Sequence, residues 1–81
     1  MTDKRFAELQ AILLEEHYPE CLAFSQLVDD STPKNRKMIV TASTFTGTEI
    51  RNLMESGFSL CMFGNDDGFR IDLWVSDIRE Q

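Results

Sequence analysis

Cysteine and glycine are scarce in this chain of 81 residues, and neither is clustered. The two cysteines, Cys21 and Cys61, lie far apart and give no disulfide framework. The four glycines are scattered and form no phosphate-binding loop. The longest apolar run near the start, residues 11–14, ends in two glutamates. We therefore expect neither a signal peptide nor a membrane span.

Basic residues are also few: eight Lys and Arg stand against 14 Asp and Glu, which gives a net charge of −6. Binding to nucleic acid or to anionic membranes depends on Lys and Arg, so neither is expected as a direct partner. These features favour a cytoplasmic protein. The one basic cluster, residues 33–37, is interpreted as a solvated loop, with contact to phosphate or to an acidic protein as the alternative.

The chain is long enough for one domain, residues 1–81, and too short for two. A core of this size rarely contributes more than about 3–5 kcal/mol to stability. Since disulfides and metals are poorly supported, a homodimer is one way in which the fold gains stability.

Two helices are predicted, over residues 3–17 and 46–57. Thr2 is placed to cap the first helix, and its apolar positions recur at helical spacing until Pro19. In the second, Thr46 and Glu49 have the spacing of a capping box, and Gly57 stands where a left-handed residue ends a helix.

The remaining apolar segments predict four strands. Residues 38–41 are β-branched, and two alternating runs flank Asn65-Asp66-Asp67-Gly68, a strong hairpin signal. A two-residue loop would pair Met62 with Leu73, and a four-residue loop would pair Met62 with Ile71. Residues 20–29 fit a strand, although Pro19 also suits the first position of a helix. The predicted fold is a small α+β domain in the order α-β-β-α-β-β, an antiparallel sheet with both helices on one face.

Several residues could in principle bind a metal or act in catalysis, and each has a simpler structural interpretation. His17, Cys21 and Cys61 lack the fourth ligand and the paired spacing of a zinc site, and a cysteine in an acidic strand is a poor nucleophile. Phe63 and Trp74 stand where an EF-hand starting there would need acids, which argues against calcium at the hairpin turn. We therefore expect no metal, no cofactor and no enzymatic activity.

The outward face of the hairpin is the best candidate for a binding surface. If Leu60, Met62, Ile71 and Leu73 face the core, the alternate residues face away. The predicted surface is therefore made of Cys61, Phe63, Arg70, Asp72 and Trp74. Aromatic residues with an arginine are typical of interface centres. Cover by a helix or by the N-terminal segment is the alternative.

These observations predict a non-enzymatic, acidic protein-binding or inhibitor domain that occupies a partner's surface. Immunity proteins and phage or mobile-element defence blockers act in this way. The expected partner is another protein, basic or itself nucleic-acid-binding, because acidic residues would steer its approach. The residues assigned to steering are Glu15, Glu16, Glu20, Asp29 and Asp30. The alternative is a homodimeric structural or regulatory domain.

Overall fold

Two helices and four strands follow one another in the predicted order α-β-β-α-β-β. The fold is seen in a computed structural model that describes residues 1–27 and 37–78. The elements are α1 (Asp3–Leu14), a short 3₁₀ turn (Pro19–Cys21), β1 (Ala23–Leu27), β2 (Lys37–Ala42), α2 (Gly47–Glu55), β3 (Phe58–Gly64) and β4 (Ile71–Asp77). Neither of the helices described here has the length and apolar character needed to cross a membrane.

Local side-chain signals set the helix ends. The Thr2 hydroxyl accepts a hydrogen bond from the backbone N–H of Arg5 at 3.3 Å, which confirms the cap of α1. Both halves of the capping box between Thr46 and Glu49 are formed at α2. Gly57 has a φ of 88°, as expected after a helix end. The prediction that α1 reaches His17 is wrong: the helix ends at Leu14, and the chain turns extended before Pro19.

The predicted segment 20–29 contains a helical turn as well as a strand, the two structures that its sequence suggests. Pro19 opens a single 3₁₀ turn, and the strand interpretation is confirmed for Ala23–Leu27. Residues 28 and 29 of that segment, Asp30 and the predicted loop at 31–35 lie outside the described residues.

The four strands form one antiparallel sheet in the order β1-β2-β4-β3. Met62 pairs with Leu73, which is the register expected of a two-residue hairpin loop. The loop itself is wider, because Asn65 closes it by donating its backbone N–H to the carbonyl of Arg70 at 2.9 Å. Gly68 adopts a φ of 76° within this turn, as predicted.

Both helices pack on one face of the sheet, as predicted. The buried core between the helices and the sheet is mostly aliphatic, with Phe58 as its buried aromatic residue and with Phe6, Phe24 and Phe45 packed against it. Its fully buried members include Leu9, Leu13, Val40, Leu53, Leu73 and Val75. Met62 was predicted to face this core, and it lies on the correct side of the sheet, yet 48% of it is exposed. Cover by the helices decreases along β3 from Phe58 towards the hairpin.

A buried arginine closes one end of the core. Arg5 is only 7% exposed and donates from Nε to Asp77 Oδ2 at 2.8 Å and from Nη2 to the carbonyl of Ser56 at 2.6 Å. It also pairs with Glu8, and its guanidinium lies 4.1 Å from the centre of the Phe58 ring. The bond to Asp77 raises the pKa of Arg5 further, so the charge is permanent. This side chain connects α1, the end of α2 and β4.

Candidate functional site

The sheet face opposite the helices is lined by alternate residues of all four strands. Within the described residues, α1 and α2 lie on the other side, and most side chains on this face contact solvent. We call it the open face. Its members are Ala23, Ser25, Lys37, Ile39, Thr41, Ser59, Cys61, Phe63, Asp72, Trp74 and Ser76.

Two aromatic rings lie together on the β3–β4 side of the open face. Phe63 and Trp74 pack edge to face, with ring centroids 5.2 Å apart and planes inclined by 61°. Cys61 lies directly across from Trp74 on the neighbouring strand, and Ile39 lies across from it on the other side. Phe63 is 52% exposed and Trp74 is half-buried. The sequence prediction thus placed Cys61, Phe63 and Trp74 on a common surface, and the structure brings them together.

A shallow depression of about 190 Å³ lies beside the rings. Its lining is Lys37, Ser59, Cys61, Phe63, Trp74 and Ser76. The Lys37 ammonium is 6.0 Å from the centre of the Trp74 ring, at the outer limit of a cation–π contact. Pockets for small ligands usually measure about 300–1,000 Å³, so this depression better fits a protruding protein side chain.

Asp72 marks the polar end of the open face. Its Oδ1 accepts hydrogen bonds from Asn65 Nδ2 at 2.8 Å and from Thr41 Oγ1 at 2.7 Å. These bonds, led by the one from Asn65, lower the pKa of Asp72, and the carboxylate stays ionised. The residue belongs to the open face, but its hydrogen bonds first serve to tie β4 to β2 and to the hairpin loop.

Arg70 lies at the hairpin tip and has a partner of its own. Its Nε donates to Asp67 Oδ2 at 2.6 Å. Asp67 also accepts from the backbone N–H groups of Phe69 and Arg70 at 2.9 and 3.0 Å. The Phe69 bond, then the Arg70 side chain, lowers the pKa of Asp67. Arg70 therefore organises the turn, apart from the ring pair.

Three of the acidic residues assigned to steering lie on the connection between α1 and β1, and Asp29 and Asp30 lie outside the described residues. Glu15 and Glu16 follow α1 and Glu20 lies in the 3₁₀ turn before β1, and all three are exposed. Glu20 comes shortly before β1, and three strand spacings of roughly 4.8 Å separate β1 from β3, which carries Phe63. A second, open depression of about 420 Å³ lies along residues 14–19.

Sequence reasoning missed seven of the listed members of the open face, and Lys37 and Ile39 are the two of these that lie beside Trp74. Lys37 was assigned to the basic loop, and Ile39 belongs to the continuous apolar run of β2. Alternation was the available signal: Met38 and Val40 are buried, whereas Lys37 and Ile39 point the other way. Lys37 and Ile39 lie near Trp74 because β2 pairs with β4, and the local sequence does not specify this pairing.

The sequence offers His17, Cys21 and Cys61 for metal binding or nucleophilic catalysis, and the structure gives them different surroundings. His17 Nε2 lies between the carboxylate oxygens of Glu49, 3.0 Å from Oε1 in hydrogen-bond geometry and 2.9 Å from Oε2. Glu49 is fully buried and was not foreseen as a partner of His17. Cys21 and Cys61 are exposed free thiols. No cluster of three or more His, Cys, Asp or Glu side chains suited to a metal occurs within residues 1–27 and 37–78.

Comparisons with protein-family models, with curated proteins and with solved structures found no match.

Proposed function

We propose that this chain is a non-enzymatic, acidic protein-binding or inhibitor domain that occupies a partner's surface with its open face. The observation that carries the proposal is the Phe63–Trp74 pair on a sheet face that the described helices leave uncovered. An edge-to-face aromatic pair adds about 0.5–1.5 kcal/mol beyond its area, and a partner can bury both rings at once.

The composition of the open face resembles that of an interface. The rings and Ile39 form an apolar group, and small polar residues lie on the same face, with Ser59 and Ser76 along the same two strands as the rings and Ser25 further out. The rings are already packed against each other, so a partner would fix few additional rotamers of these side chains. Rigid aromatic anchors inside a polar rim are typical of binding hot spots.

Charge supports a basic partner. The chain carries −6, and the exposed acids Glu15, Glu16 and Glu20 lie on the connection between α1 and β1, outside the Phe63–Trp74 pair. Charges at the rim raise association rates, whereas buried contacts set how slowly a complex dissociates. A basic protein, including one that itself binds nucleic acid, fits this arrangement. We place the protein in the cytoplasm, where exposed thiols such as Cys21 and Cys61 stay reduced.

The carboxylates near the hairpin favour binding over catalysis. A general acid needs a raised pKa, while the pKa values of Asp67 and Asp72 are both lowered by hydrogen bonds. The depression beside Trp74 is also shallow.

The test is affinity capture from the native host with the wild-type chain and two variants. Trp74→Ala removes the larger ring, and Tyr18→Ala removes an aromatic side chain that is 74% exposed near the other sheet edge. We expect the wild type and Tyr18→Ala to retain the same protein in stoichiometric amount. Trp74→Ala should weaken that complex by at least about 2 kcal/mol, or roughly 30-fold in Kd. Equal capture by all three would contradict the proposal.

The steering role has a separate measurement on the captured partner. Replacing Glu15, Glu16 and Glu20 together by Gln should lower the association rate and its dependence on salt, with little change in the dissociation rate. An unchanged association rate at low salt would remove these acids from the interface.

A further inference from the structure

Among the residues that the structure describes, strand β3 forms an edge of the sheet that lacks the usual protection against pairing. None of its seven residues, Phe58–Gly64, is charged or a proline. Its register with β4 runs through seven consecutive pairs, so no bulge bends the edge away. Natural edge strands are normally blocked by Lys, Pro, a bulge or a covering segment, because free N–H and C=O groups recruit another strand. Within the described residues, β4 is the only strand paired with β3.

The hydrogen-bond pattern shows which backbone groups face outwards. Gly57 O accepts from Ile78 N at 3.1 Å, and Asn65 N donates to Arg70 O at 2.9 Å. In an antiparallel ladder the direction alternates along the strand, so odd-numbered residues from 57 to 65 bond towards β4. The N–H and C=O groups of Phe58, Leu60, Met62 and Gly64 therefore point away from the sheet.

We propose that β3 is a dimerisation edge, at which two copies of the chain pair their β3 strands antiparallel about a twofold axis at Cys61. The two sheets then become one of eight strands. In this register Leu60 bonds with Met62 of the second copy, and Phe58 bonds with its Gly64. All four outward N–H groups and all four outward C=O groups of each β3 are then satisfied, and no other symmetric register uses them all.

Side-chain sizes and charge also fit a second copy as the occupant. Phe58 would lie opposite a glycine, and Phe63 opposite Ser59, so each large ring meets a small neighbour. Met62, which is 48% exposed although it lies on the helix side, would be covered by Leu60 of the other copy. Two chains of charge −6 repel each other, and pairing along a strand with no charged residue places no like charges opposite one another at the seam.

The pairing also predicts a geometry at Cys61. Cys61 would face its symmetry mate as a non-hydrogen-bonded pair with Cα atoms about 4.5 Å apart, within the range that a disulfide spans. Directly opposed residues share a sheet face, so the two open faces would join into one surface with a Trp74 on each side of the seam. The inference does not depend on the proposed binding function, since it concerns the strand edge.

The experiment uses the full chain with Cys21→Ser, so that Cys61 is the only thiol. We expect a dimer by sedimentation at tens of micromolar, and a Cys61 disulfide after treatment with diamide, which takes up the two electrons and two protons that the thiols lose. Met62→Lys places a charge on the seam at a partly exposed position and should raise the dimer Kd at least about tenfold and suppress the cross-link. Tyr18→Lys is the matched control near the opposite edge and should change neither.

Three results would overturn the proposal: a monomer throughout this concentration range, a dimer whose Cys61 thiols do not cross-link, or a dimer that survives Met62→Lys. The last two would indicate another interface, such as the open faces packed against each other. Because Met62 lies on the helix side of the sheet, Met62→Lys separates edge pairing from face pairing. A Met62→Lys monomer that still captures a partner would leave the proposed function intact.

Discussion

Removal of His17 should show how much the domain depends on the hydrogen bond between the His17 ring and the buried carboxyl group of Glu49. Glu49 is fully buried, and its carboxylate has two partners described at the site, the His17 ring and the backbone N–H of Thr46. His17→Ala leaves the carboxylate with the backbone bond alone. Removing one hydrogen-bond partner of a buried polar group costs about 1–3 kcal/mol. The His17 side chain is 12% exposed, so water can enter part of the vacated space, and we expect a loss of about 1–3 kcal/mol in the free energy of unfolding.

The assay is urea denaturation followed by circular dichroism, with Tyr18→Ala as the control. Tyr18 is the neighbouring residue, 74% exposed, and its replacement should change the free energy of unfolding by no more than about 0.5 kcal/mol. A double-mutant cycle of His17→Ala with Glu49→Gln isolates the pair, and the two changes should be non-additive by at least about 1 kcal/mol. Additive effects, or a loss in His17→Ala as small as that of the control, would refute the assigned role.

Three further predictions concern local structure. Thr46→Ala should lower the free energy of unfolding by about 0.5–2 kcal/mol through loss of the α2 cap, and an unchanged denaturation midpoint would contradict the capping box. Gly68→Ala should cost about 1–2 kcal/mol although a methyl group meets no atom within 4 Å there, because φ is 76°. Gly64→Ala, which also has open space but no positive φ, should cost nothing, and equal losses would exclude a backbone cause. Because the folded-state pKa of Asp72 is lowered, its contribution to stability is present above the ordinary value of about 3.9 and is lost as pH falls through the folded value. Asp72→Asn should therefore flatten the acid limb of a stability profile recorded in urea, and an unchanged limb would count against the bonds to Asp72.

Elements whose signals are local were predictable from sequence. In α2, the capping pair of Thr46 with Glu49 and the glycine at 57 act within one turn of each helix end, and both were found as predicted. The hairpin followed from alternation and from Gly68 for the same reason. The end of α1 was overestimated, because apolar spacing continues to His17 while the backbone already turns after Leu14.

Contacts between distant residues were not predictable. Arg5 meets Asp77 across 72 positions, and His17 meets Glu49 across 32. Both pairs form because the helices settle side by side on the sheet, which residue spacing does not reveal. Only part of the open face could be predicted. The alternation of side chains along the hairpin strands places Cys61, Phe63 and Trp74 on one face, but the residues that β2 adds to this face follow only from the strand order. Burial of Met62 was overestimated because parity gives the side of the sheet and not the extent of the helices above it.

The central claim is that Trp74 belongs to a contact surface and that its neighbour Leu73 belongs to the core. The free energies of unfolding of Trp74→Ala and Leu73→Ala, measured side by side, test it most directly. Leu73 is fully buried, so its truncation should cost about 3–5 kcal/mol or unfold the domain outright. Trp74 loses mainly its contact with Phe63 and part of its burial, so about 1–2 kcal/mol is expected. Equal destabilisation by the two substitutions would place Trp74 in the core and contradict the account.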